Sequence, residues 1–203
     1  GLCGPVIMEY ASKEQKERYL PPMAEGKEIW CQLFSEPSAG SDVAGLRSKA
    51  VQNGDKWIVN GQKVWTSGAH FADFGILVVR HDPNIEKHKG MTFFFVDMKS
   101  PGIEVKPIKQ ITGGSSFNEV YFTDVEIPDS QRLGEIGVGW KVAITTLMNE
   151  RLAVGDADGA DVEDAFRWAK KQDNLGEPLL NNKAARESIA DWYCEKSGLK
   201  NTK

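Results

Sequence analysis

Cysteine and histidine are too few and too scattered in this chain to build a framework or a metal site. Cys3, Cys31 and Cys194 are far apart and odd in number. That excludes a readable disulfide pattern or CxxC zinc site and favours a reducing compartment. His70, His81 and His88 form no HExxH or similar ligand pair, so no metal is expected. Long hydrophobic runs are also missing: nothing approaches the roughly 18 residues of a membrane span. No charged-then-apolar stretch at the start reads as a leader. Positive charge is not in excess either. The formal net charge of −4 leaves no basic field for nucleic acid or an anionic membrane, although a local cluster could meet a phosphorylated small molecule. There is no GxxxxGK, which excludes a nucleoside-triphosphate loop, and no GxGxxG opening a helix for a dinucleotide fold.

What is present is a globular composition. In 203 residues, 40% are hydrophobic and six are tryptophan, enough for one substantial core or two small ones. Three compositions succeed one another without repeats or low-complexity linkers. In "SKEQKERYLPP", Ser12 and Gln15 have the spacing of a capping box, and Pro21-Pro22 is expected to stop the helix it opens. From Ile29 the period changes. "IWCQLFS", "DKWIV", "GQKVWTS", "FGILVVR", "MTFFFVDM", "IEVKPI" and "NEVYFTDVEI" are short β-branched and aromatic runs that read as strands. Asn53-Gly54 and Asn60-Gly61 are expected to form tight hairpin turns. After "GEIGVG", the segments Trp140 to Val154, Val162 to Gln172 and Asn182 to Ser197 read as helices. The fold class is therefore α+β: an antiparallel, barrel- or sandwich-like β domain over 29–133, flanked by helical segments over 1–28 and 134–203.

Two stretches hold the candidate chemistry. "LFSEPSAGSD" leaves a strand through Pro37, Ala39 and Gly40, rigid or small residues that let another molecule approach the main chain. The plain alternative is a turn in which Ser35 and Ser41 bond their own backbone. In "NGQKVWTSGAH", alternation puts Trp65 and Ser67 on one face. An indole beside a hydroxyl suits a flat heteroaromatic ligand; equally, such a tryptophan can be core packing. On the helix from Trp140, an advance of about 100° per residue gathers Ile144, Leu147, Met148 and Arg151 on an apolar face, with Ala143, Glu150 and Val154 along its edge. Glu150 has no Lys or Arg three or four residues away, and partial burial there would suit a general base; the alternative is a surface glutamate.

Taken together, "CQLFSEPSAGSDVAGL" and "NGQKVWTSG" closely resemble the middle domain of the acyl-CoA dehydrogenase family. The similarity continues in family order through "NEVYFTDVEIP" and "GVGWKVAITTLMNERL". The resemblance implies FAD held between an antiparallel β domain and helical domains, and oxidation of the Cα–Cβ bond of an acyl-CoA thioester. By motif, Phe34 and Ser35 would meet the pyrimidine edge of the flavin, and Ser41 phosphate or the thioester ligand. Trp65 would pack on the ring, Thr66 would supply backbone groups, and Ser67 would bond near the edge where hydride arrives. Glu150 matches one of the family's two positions for the base that takes the α-proton, and Arg151 would orient acyl-CoA or the base. The implied partners are an acyl-CoA substrate and an electron-transfer flavoprotein or other acceptor, with a homodimer or homotetramer as the assembly. The implied location is cytoplasm in a bacterium or mitochondrial matrix in a eukaryote.

By the same resemblance, 1–28 reads as the end of an N-terminal helical domain and 134–203 as the first part of a C-terminal one, so the chain reads as a fragment. The family's later arginine and glutamine-glycine-glycine motifs have no counterpart here; "QITGG", Gln110 to Gly114, reads instead as a loop near the substrate mouth. An acyl-CoA oxidase, a flavin monooxygenase and a non-catalytic β binding module are the competing readings.

Overall fold

Helices, then strands, then helices succeed one another as the hydrophobic periods predict, with some boundaries displaced and with a first helix over 3–10 and short strands over 49–53 and 132–133 that those periods do not show. The computed structural model describes residues 2–154, 161–171 and 177–202, without the side chains of 151–154 and 199–202. Two helices come first, α1 (Cys3–Tyr10) and α2 (Lys13–Ala24). Strands follow: β1 (Trp30–Leu33), β2 (Lys49–Asn53), β3 (Lys56–Ser67), β4 (Phe74–Arg80), β5 (Met91–Asp97), β6 (Ile103–Ile108), β7 (Phe117–Pro128) and β8 (Arg132–Leu133). Then come α3 (Gly139–Val154), α4 (Val162–Ala169) and α5 (Lys183–Thr202). The chain divides into two compact units, 1–154 and 155–203.

The strands form one sheet in the order β6-β7-β3-β2-β4-β5-β8, with β1 added beside β4. The sheet does not close into a barrel. Most pairs are antiparallel, but β1 runs parallel to β4, and β2 meets β4 through one parallel bridge, Lys49 to Arg80. Two cores explain the long apolar runs. In "MTFFFVD", Met91, Phe93 and Phe95 join a core with residues of α1, α2 and α3, while Phe94 and Val96 join a second core with Trp57, Val59, Val120 and Val125 of β3 and β7. β4 divides in the same way, with Ile76 and Val78 towards the helices and Leu77 and Val79 towards the other strands. A strand buried on both faces has no alternation to show.

The capping box forms as expected: Gln15 N–H donates to Ser12 Oγ at 3.2 Å, and Ser12 N–H donates to Gln15 Oε1 at 2.9 Å. The prolines do not stop this helix, which continues to Ala24. Proline removes a donor but keeps its carbonyl. The carbonyls of Pro21 and Pro22 accept from Glu25 and Lys27 N–H at 3.0 and 2.9 Å, so the last turn still closes. Tyr19 of α2 then packs edge-on against Trp30, Phe74 and Phe95, with ring centroids 5.2, 5.4 and 5.1 Å away. This aromatic cluster fixes α2 over β1, β4 and β5.

Asn53-Gly54 makes the expected turn, with Gly54 at φ +64°. Asn60-Gly61 does not. "DKWIV" and "GQKVWTS" are one twelve-residue strand, and the register against β7 shifts between Val59 and Gly61. The Asn60 amide bonds Asp124 twice, and Asp124 takes φ +49°, so the irregularity is a bulge in β7. The buried face of α3 is also rotated from the expected one. Val142, Ala143 and Thr146 are buried, whereas Ile144 and Met148 are exposed. Small residues let α3 lie close on β5: a Cβ at Gly139 would come within 2.7 Å of Met91 and Thr92 backbone atoms. In the second unit, α4 and α5 enclose an apolar cleft of about 830 Å³ lined by Val162, Phe166, Ile189 and Tyr193. The expected end of α4 at Gln172 lies outside the described residues.

Candidate functional site

Alternation along β1 places Cys31 and Leu33 in the strand core and turns Trp30, Gln32 and Phe34 to the other side. These three form one wall of a cleft of about 280 Å³. The loop beyond adds Ser35. The end of β3 supplies Val64, Trp65 and Ser67; α1 and the residue before it supply Cys3 and Leu2; α3 supplies Glu150. Residues from four separate stretches of sequence thus share one concavity.

Trp65 reaches this cleft because β3 is bulged. Lys63 pairs with Val120 and Thr66 with Asn118, so three steps on β3 oppose two on β7 and one residue is extra. Trp65 takes up the slack at φ +60°, a left-handed conformation that bulky residues rarely adopt. The residue is 59% exposed, and that exposure makes its indole a free flat wall instead of core packing. Phe117 braces it edge-on at 6.2 Å between centroids. Beside it, Thr66 is buried, its carbonyl accepting from Asn118 Nδ2 at 2.9 Å.

Among the described residues, three buried polar atoms here have no hydrogen-bond partner: Trp30 Nε1, Gln32 Oε1 and Thr66 Oγ1. Buried polar groups are nearly always satisfied, so unpaired ones at a cleft point to a ligand that completes them. Trp30 and Gln32 offer one donor and one acceptor at the wall. Glu150 is half-buried, seven residues after Ala143 and three after Leu147, and so lies on the packed stripe of α3. Among the described residues it has no ion-pair partner.

The loop "SEPSAGSD" is held from beneath by a buried ion pair. Lys63 Nζ donates to Glu36 Oε1 at 2.8 Å and to the Phe34 carbonyl at 3.0 Å, with both charged side chains almost wholly inside the protein. Glu36 also accepts from Arg47 N–H at 2.6 Å and Ser48 N–H at 3.0 Å. Burial pushes the Glu36 carboxyl up, but Lys63 and these donors outweigh it and hold the group below its ordinary range. Burial pulls the Lys63 ammonium below its ordinary value, with Glu36 opposing. Burial pushes the thiols of Cys3 and Cys31 up to about 12, so neither is a nucleophile.

The structure brings together Phe34, Ser35, Trp65, Ser67 and Glu150 at the cleft. Thr66 lies buried next to it. Ser41 is exposed on the far part of the loop and does not line the cleft. The side chain of Arg151 lies outside the described residues. Sequence reasoning passed over Trp30 and Gln32, whose signal is the even-numbered side of "WCQLF", and Lys63, a cation at an inward position in line with Trp57 and Val59. Among the described residues no group of His, Cys, Asp and Glu could hold a metal ion, and no helix is long and apolar enough to cross a membrane.

Comparison with known proteins identifies the family. Residues 1–27, 31–125 and 137–202 match the models of the acyl-CoA dehydrogenase N-terminal, middle and C-terminal domains. Acyl-CoA dehydrogenase FadE34 of Mycobacterium tuberculosis is 47% identical over 187 residues, covering 88% of this chain and 26% of that protein. Butyryl-CoA dehydrogenase from Megasphaera elsdenii superposes with a TM-score of 0.89 at 29% identity, over 98% of this chain and 54% of that one. The ChsE4-ChsE5 complex from Mycobacterium tuberculosis gives a TM-score of 0.82 at 33% identity, over 98% and 52%. The chain spans about half the length of several curated relatives and about a quarter of FadE34. With all three domain models matched in family order and a relative 47% identical over 88% of this chain, the chain belongs to the acyl-CoA dehydrogenase family.

Proposed function

We propose that this chain serves the FAD-dependent desaturation of an acyl-CoA thioester between Cα and Cβ. The observation that carries the reading is the convergence of Phe34, Ser35, Trp65, Ser67 and Glu150 on one cleft. A carboxylate, an exposed indole and a hydroxyl supply a base, a flat wall and a polar anchor. The residues also suit a flavin ring, which has two flat faces and a polar edge. Trp65 offers the wall, and the unpaired Trp30 Nε1 and Gln32 Oε1 offer a donor and an acceptor. At about 280 Å³ the cleft lies just below the ~300–1,000 Å³ usual for small-molecule sites, so it takes a ring system and not a whole dinucleotide.

When bound, FAD supplies the acceptor for the hydride leaving Cβ. Phe34 and Ser35 would hold the pyrimidine edge, Trp65 would pack on the ring with Thr66 supplying backbone groups, and Ser67 would offer a hydrogen bond at the reacting edge. Glu150 takes the α-proton onto its carboxylate, and the electron pair left at Cα becomes the new double bond to Cβ. Ser41 meets phosphate or the thioester ligand, and Arg151 orients acyl-CoA or the base. Turnover then needs an electron acceptor, an electron-transfer flavoprotein or another. The reading also includes a homodimer or homotetramer, and the division into a helical end over 1–28, a middle β domain over 29–133 and a helical start over 134–203. It places the protein in bacterial cytoplasm or the mitochondrial matrix.

One spectrum tests this. The full protein, kept anaerobic, should show flavin absorbance that bleaches on adding acyl-CoA. Absence of flavin bands in protein given FAD would sink the reading, and rapid oxygen uptake on admitting air would identify an oxidase instead.

A further inference from the structure

The bulge that turns Trp65 into the cleft lies between two buried polar anchors. On one side, Lys63 ties the Phe34 carbonyl and Glu36 to β3, and Val64 N–H donates to the Ser35 carbonyl at 2.8 Å. Ser48, held by the same carboxylate, donates from Oγ to the Gln62 carbonyl at 3.3 Å. On the other side, Asn118 is wholly buried and donates to the Thr66 carbonyl, while His70 Nδ1 lies 3.2 Å from its Oδ1. Between them Trp65 keeps a left-handed backbone. Such a conformation persists only where its surroundings over-determine it. A fully buried lysine is also an expensive way to fill space, since an ion pair of this kind is weak evidence for stability.

We propose that Lys63, Glu36 and Asn118 are positioning residues that lock the bulge and so fix the Trp65 indole against the Phe34–Ser35 wall. The inference rests on the reading of this cleft as the flavin and acyl-CoA site. Lys63 acts at both walls at once, because its ammonium bonds a carbonyl of the loop while its backbone belongs to β3. Asn118 holds the far end of the same three-residue step. With either anchor gone, positions 63 and 66 keep their ladder partners but the two residues between them are free to relax towards an ordinary extended conformation, which takes the indole off the cleft wall.

The test uses the full protein labelled with fluorotryptophan, the Trp65 resonance being assigned through Trp65→Phe. In flavin-free protein, Lys63→Met and Asn118→Ala should each shift or broaden the Trp65 signal and leave that of Trp140 in place. Should Lys63→Met fail to fold, Glu36→Gln/Lys63→Met replaces it, because no buried charge is then left alone. In flavin-loaded protein the double variant should alter the visible circular dichroism and slow flavin reduction by acyl-CoA about 10- to 100-fold, the scale of a small misplacement of reacting groups. Its thermal midpoint should stay near that of the wild type. A double variant with native midpoint and unshifted Trp65 signal would overturn the proposal and leave the pair a purely structural element. If the wild type takes up no FAD, the proposed function falls, but the Trp65 resonance still decides this inference.

Discussion

Glu150→Gln separates a base from a bystander more cleanly than any other single change in this cleft. The amide keeps the shape of the carboxylate, and among the described residues Glu150 has no ion pair to lose. The fold should therefore change by no more than about 0.5 kcal/mol, the range of substitutions that disturb no packing or network. The effect on chemistry should be far larger. A positioned general base contributes roughly 10²–10⁴-fold, equivalent to about 2.7–5.4 kcal/mol at 1.36 kcal/mol per decade. The position supports the upper part of that range: α3 is pressed onto β5 at Gly139, and Glu150 lies on the same stripe as buried Ala143, so the carboxylate is carried on a fixed element. The assay is anaerobic stopped-flow reduction of the flavin-loaded full protein, with binding of FAD and acyl-CoA measured separately. Binding of both should persist while reduction slows by at least 10²-fold. If the variant reduces flavin at the native rate, the base lies elsewhere and Glu150 is an ordinary half-exposed glutamate.

Ser67→Ala should slow flavin reduction more than it weakens FAD retention, because a single hydrogen bond is worth about 1 kcal/mol in binding yet can matter more where charge develops; unchanged reduction at saturating acyl-CoA would remove Ser67 from the site. Gly139→Ala should cost about 1–3 kcal/mol, since its Cβ would press on the β5 backbone, and a native thermal midpoint would show that α3 does not lie as close as described. Acid should weaken the loop anchor. The folded-state carboxyl of Glu36 lies below its ordinary value of 4.5, so its contribution is complete above that pH and is lost as pH falls through the lower folded value. Urea midpoints measured between pH 6 and pH 3 should therefore fall less in Glu36→Gln/Lys63→Met than in the wild type; equal falls would refute this.

Local chemistry made the capping box at Ser12 and Gln15, the turn at Asn53-Gly54 and the outlines of β4, β5 and β6 legible in the sequence. Each depends on residues next to one another, and propensity and period report on such neighbours directly. The misread strand turn and the misread helix face depend on a remote partner, whereas the helix runs past Pro21-Pro22 on local carbonyl acceptors. Asn60-Gly61 has the composition of a hairpin turn, and only its pairing with Asp124, sixty-four residues later in the chain, makes it part of a bulged strand. The helical face of α3 was read from large apolar side chains, whereas the buried side is set by small ones that fit against β5.

The candidate site divides along the same line, and the division explains why its supports were harder to see than its surface. Trp65, Ser67 and the loop around Ser35 stand out because an indole beside a hydroxyl and a proline-glycine turn are locally odd in a strand-rich region. Lys63 looks ordinary in sequence, since a lysine in a strand reads as its solvated side. It becomes unusual only when Glu36, twenty-seven residues earlier, is found beneath the same loop. Burial of a charge is a property of pairs, because the cost of removing one ion from water is offset only by the other. A single chain read without its contacts shows the groups that touch a ligand before it shows the groups that hold them. The inward parity that Lys63 shares with Trp57 and Val59 is the one local trace of that support.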